Sequence, residues 1–117
     1  MKKVVVASIS MILATSACFA SKPIDEINKQ ICHLLILDAR LINNAQTSDV
    51  CKYLYRQHIV SNLESACGYI VKDSNRAKSI LENVSFTLSV APKKNNCEAI
   101  ERSDNLRTII DEFTDKL

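Results

Sequence analysis

The sequence predicts an all-α protein, a small disulfide-stapled antiparallel helical bundle of about four helices. Three observations carry that expectation. The chain holds one glycine, Gly68, and two prolines, Pro23 and Pro92, in 117 residues, far fewer than the turns of a β fold require. Apolar residues recur at helical spacing through four successive stretches. Five cysteines, Cys18, Cys32, Cys51, Cys67 and Cys97, stand in a chain whose start carries the marks of export, a setting in which cysteines pair.

Those marks lie in the first twenty residues. Lys2 and Lys3 form a positive head, Val4 to Ala17 carries no charge, and Cys18-Phe19-Ala20 ends the run on small residues suited to cleavage. Residues 1–20 therefore read as a cleaved secretory signal peptide and 21–117 as a single helical domain. The apolar run is shorter than the ~20 residues of a spanning helix, so no stable membrane span is expected. The expected location is periplasmic or secreted, and the Met-Lys-Lys head reads as bacterial. In that setting the glycosylation pattern Asn83-Val84-Ser85 has no consequence. Thr15-Ser16-Ala17-Cys18 resembles a bacterial lipoprotein box, with Thr15 where such boxes favour leucine. That resemblance implies a lipid anchor at Cys18 as the alternative to its loss with the signal. Either way Cys32, Cys51, Cys67 and Cys97 remain, an even set.

Charge narrows the partners. Of 15 Lys and Arg, Lys2 and Lys3 leave with the signal, so 13 face 13 Asp and Glu and the mature net charge is zero. Nucleic acid needs a positive surplus, so none is expected as a partner.

Each helix has its own signals. The first starts at Pro23, with Asp25 and Glu26 in its first turn, where carboxylates suit the helix dipole. Its apolar positions are Ile24, Ile27, Ile31, Leu34, Leu35, Leu41 and Ile42. Thr47 or Ser48 caps the second helix, about 49 to 72. Tyr55, Ile59, Leu63, Ala66 and Ile70 line its main stripe, widened by Val60, Cys67 and Val71, and a stripe that broad expects two neighbours. Asp73-Ser74-Asn75 turns the chain into a third helix facing inward through Ala77, Ile80, Leu81, Val84 and Leu88. Ala91 to Asn96, with Pro92, reads as a loop. Asn95 and Glu98 resemble a capping box for the last helix. That helix carries Ile100, Leu106, Ile109, Ile110, Phe113 and Leu117, with a break expected near Ser103-Asp104.

The helical map ranks the disulfides. Cys51 and Cys67 are sixteen residues apart on one helix, ~24 Å along its axis, whereas a disulfide needs Cα atoms ~4.4–6.8 Å apart. Up-and-down folding brings Cys51 to the level of Cys97, just past the third helix. Cys32 and Cys67 then differ in height by less than two turns. The expected bridges are Cys32–Cys67 and Cys51–Cys97. No Cys-x-x-Cys pair is present and His33 and His58 are not placed as zinc ligands usually are, so no metal is expected.

No catalytic motif is recognisable. His33 follows Cys32, but neighbouring helical side chains point ~100° apart and a bridged sulfur is no nucleophile. The acidic residues Glu98, Glu101, Asp104, Asp111, Glu112 and Asp115 read as a solvated face. Tyr53, Tyr55, Arg56 and His58, in YLYRQH, form the candidate binding surface, because Tyr and Arg are enriched at binding hot spots. The sequence thus points to a non-catalytic exported protein, without a cofactor, that binds another protein as an inhibitor, immunity factor or adaptor. The alternative is a carrier of a small apolar ligand or lipid between the helices. Broad apolar stripes on short helices also leave room for a homodimer.

Overall fold

Helix α1 runs over Pro23–Asn44, with Asp25 and Glu26 in its first turn. The computed structural model describes residues 23–117; the expected signal segment 1–20 and the fate of Cys18 lie outside the described residues. Four helices and no strand make up the fold among the described residues, and none of those helices is long and apolar enough to cross a membrane.

The buried face of α1 is Cys32, Leu35, Ile36, Ala39 and Ile42, which corrects the expected one. Ile24, Ile27, Leu34 and Leu41 are 50% or more exposed, and Ile31 is only partly buried at the edge of the core. The apolar arc of α1 is wider than one packing face. Cys32, bonded to Cys67, decides which side of it turns inward; Leu34 stands about 160° around the helix from that cysteine.

Helix α2 is a continuous rod in three joined parts, an α segment Asp49–Tyr53, a π segment Leu54–Val60 and an α segment Ser61–Tyr69. Ser48 caps it, its hydroxyl accepting the Cys51 N–H at 3.1 Å. Tyr55, Ile59, Leu63, Ala66 and Ile70 are all buried, as the stripe required, while Val71 is exposed. Packing against both α1 and the third helix accounts for the breadth of that stripe.

Helix α3 spans Ser74–Lys94, with Asp73 accepting the Arg76 N–H at 3.2 Å as its cap. It passes through Pro92, so the loop expected at Ala91–Asn96 is helical as far as Lys94. The proline ring is fully buried in the core, and that packing offsets the missing N–H. The helix then closes on Asn96, in the left-handed region at φ 54°. Asn96 N–H donates to Lys93 O and Cys97 N–H to Pro92 O, a Schellman stop with asparagine in the position glycine usually takes.

Helix α4 spans Ile100–Asp115 without interruption, so no break occurs at Ser103-Asp104. Ser103 is buried on the core face because it meets Tyr55 across the bundle. The expected capping box is replaced by a tertiary contact. Glu98 accepts the Thr47 N–H at 3.2 Å and the Thr47 hydroxyl at 3.0 Å instead of turning back on its own helix. Ile109 is exposed rather than buried, while Leu106, Ile110 and Phe113 face the core.

Both disulfides join the expected partners. Cys32–Cys67 ties α1 to α2, and Cys51–Cys97 ties α2 to the segment after α3, each with Cα atoms 5.7 Å apart. They close loops of 35 and 46 residues, for which chain-entropy reasoning gives about 4 kcal/mol apiece. These bridges fit an oxidising compartment outside the cytosol.

Beside Cys51–Cys97 sits a polar clasp. Buried Gln46 donates to Ile42 O at 3.0 Å and Glu98 O at 2.8 Å, and its carbonyl accepts the Glu98 N–H at 2.9 Å. The hydrogen bonds from Thr47 hold the Glu98 carboxyl below its usual pKa. A depressed carboxyl stabilises the fold above its unfolded pKa, and that contribution is lost as pH falls through the folded value. Gln46→Ala should cost about 1–3 kcal/mol in urea unfolding at neutral pH, because it strands buried backbone groups. Glu98→Gln should flatten the acid limb of the stability–pH curve; an unaltered acid limb would contradict the clasp.

Candidate functional site

The YLYRQH stretch runs from Tyr53, the last residue of the first α segment, into the π segment of α2, and the spacing of core residues explains why. Cys51, Tyr55, Ile59 and Leu63 recur every four residues. On a regular helix such a row drifts about 40° at each step. The i→i+5 winding of a π segment takes up much of that drift, and all four side chains are fully buried. The Ser61 N–H donates to Arg56 O in this register, and the Asn62 amide donates to His58 O at 2.9 Å.

The same winding arranges the outer surface. Tyr53 and His58, five residues apart, would stand about 140° apart on an α-helix. Here their rings meet edge to face, centroids 5.6 Å apart and planes at 72°. Tyr53, Arg56 and His58 are exposed, and so is Val50, one turn before Tyr53. The result is an apolar and aromatic strip beside a guanidinium, offering one phenol, one imidazole and up to five N–H donors to a docking surface.

Tyr55 does not belong to that surface, which corrects the expected group of four. It is completely buried, and its hydroxyl forms a hydrogen bond with Ser103 Oγ of α4. Burial pushes its pKa up, the Ser103 hydrogen bond opposes this, and the Asp104 charge adds to the rise. Tyr55 therefore acts from below, fixing the π segment to α4. His33 is exposed on α1. Among the described residues no three or more His, Cys, Asp or Glu side chains are grouped as metal ligands.

A second surface escaped the sequence reading. Ile24, Ile27, Leu34 and Leu41 form an exposed row along α1, with Leu37 beside it and Ile109 of α4 across a groove. That groove, about 230 Å³, is lined by Ile31, Ile109, Glu112, Phe113 and Lys116. The signal was present in the spacing, because two apolar rows share α1 and only one can face the core.

Comparison with protein-family models, with curated proteins and with solved structures gave no match.

Tyr55→Phe should destabilise the fold by about 1–2 kcal/mol, leaving the buried Ser103 hydroxyl without its partner. Urea unfolding measures this. In the native protein, alkaline titration by absorbance should place the ionisation lost in Tyr55→Phe above the ordinary tyrosine pKa. Because its folded pKa is raised, the stability it confers is complete below the unfolded tyrosine pKa and is lost as pH rises through the folded value. An ionisation of Tyr55 at the ordinary tyrosine pKa would place its hydroxyl outside the core.

Proposed function

We propose that the mature domain is an exported, non-catalytic module that binds another protein, acting as an inhibitor, immunity factor or adaptor through Val50, Tyr53, Arg56 and His58. The observation that carries this reading is the Tyr53–His58 ring contact across the start of the π segment. A rare helical winding, of a kind frequently found at functional sites, presents the side chains most enriched at binding hot spots. Rigidity supports it as well. Val50 adjoins Cys51, and Tyr53, Arg56 and His58 lie between Cys51 and Cys67, both bridged, and above buried Tyr55, so little side-chain or backbone freedom remains to be lost on docking.

The test is affinity capture from envelope extract of cells expressing the full chain. The native protein should retain one specific partner, and Tyr53→Ala or Arg56→Ala should weaken that complex by about 30-fold or more, the scale of a hot spot. Both residues are exposed, so the helical circular dichroism of the variants should match the native protein. Capture that withstands both substitutions, or no specific partner at all, would contradict the reading. A lipid-sized adduct retained in native mass spectrometry would instead favour the carrier function.

A further inference from the structure

We infer that the exposed row on α1 is the seam of a symmetric homodimer, in which α1 packs against α1 of a second copy. This surface is separate from the Tyr53–His58 strip, so the inference stands apart from the proposed function. Ile24, Ile27, Ile31, Leu34 and Leu41 follow one another at intervals of three, four, three and seven residues. That is the heptad rhythm by which one helix packs along another. The skipped position is Asp38, whose carboxylate is held by Arg102 of the same chain at 3.4 Å. The single charge within the row is thus already neutralised from inside the protomer.

Area and charge both fit a second copy. Ile24, Ile27, Leu34, Leu37, Leu41 and Ile109 are each 40–62% exposed. Together they present on the order of 600 Å² to solvent, at the upper end for a patch on a monomer and near the ~800 Å² each partner gives to a standard interface. Two copies of the mature chain, with 13 basic and 13 acidic residues each, meet without net repulsion, a condition that promotes association. The row is centred between Ile31 and Leu34, so a two-fold axis through its middle brings the two Leu34 side chains together.

Sedimentation equilibrium of the protein recovered from the envelope, after expression of the full chain, tests this. The native protein should have the mass of a dimer. Leu34→Glu places two carboxylates near the axis and should raise the dissociation constant at least about 100-fold, since like-charge juxtaposition costs several kcal/mol. Leu41→Asp, farther along the row, is the second variant and should act the same way. Phe86→Glu, on exposed α3 surface away from the seam, and Tyr53→Ala should both leave the dimer intact. A monomeric native protein, a dimer that withstands both seam variants, or a different protein occupying the row would each overturn the inference. Loss of partner capture by Tyr53→Ala with the dimer retained keeps this result distinct from that of the proposed function.

Discussion

Cys32–Cys67 and Cys51–Cys97 fasten α2 at both of its α segments, one to α1 and the other to the segment between α3 and α4. With both attachments fixed, the rotation of α2 about its own axis is no longer free. The intervening residues must turn Tyr55, Ile59 and Leu63 inward between two set points. A uniform 3.6-residue helix lets a four-residue row drift away from the core, and the π segment Leu54–Val60 is the local answer. The surface that α2 presents to solvent, Tyr53 against His58, follows from the same winding.

The rest of the bundle reinforces those attachments. Around Cys51–Cys97, Gln46 and Glu98 join the first turn to the approach of α4, and the Schellman stop at Asn96 aims Cys97 at α2. In the middle, Tyr55 and Ser103 link α2 to α4, while Ser85 donates to Asp111 between α3 and α4. Arg40 and Glu64 pair between α1 and α2. That pair is half exposed and contributes at most modestly; covalent closure and the buried apolar face dominate. For a domain this small, two bridges of about 4 kcal/mol each rival the whole of a typical net stability.

Much of this was legible in the residues. Helix rise and disulfide reach alone excluded Cys51–Cys67, and up-and-down topology then left the observed pairing. The inward stripe of α2 was also readable, because its apolar residues occupy one broad arc. The inward face of α1 was not. Its apolar residues cover two adjoining arcs, and periodicity cannot tell which arc meets the core when Cys32 belongs to one and Leu34 to the other. Pro92 and Glu98 misled for a related reason. Local rules ended a helix at one and capped a helix with the other, whereas burial of the proline ring and the Thr47 contact outweigh both. In the candidate site, composition singled out YLYRQH, but the separation of Tyr55 from Tyr53, Arg56 and His58 depends on a winding that helical-wheel reasoning does not contain. The four-residue spacing of Cys51, Tyr55, Ile59 and Leu63 was its one visible trace.

The fold stands on which sulfurs are joined, and trypsin can reveal the pairing. Lys or Arg residues at positions 29, 40, 52, 56, 72, 94 and 102 place each of the four cysteines on its own peptide. Mass spectrometry of a non-reduced digest should find the peptide bearing Cys32 linked to that bearing Cys67, and the peptide bearing Cys51 linked to that bearing Cys97. A Cys51–Cys67 link, or four unlinked peptides from protein kept in its native compartment, would contradict it.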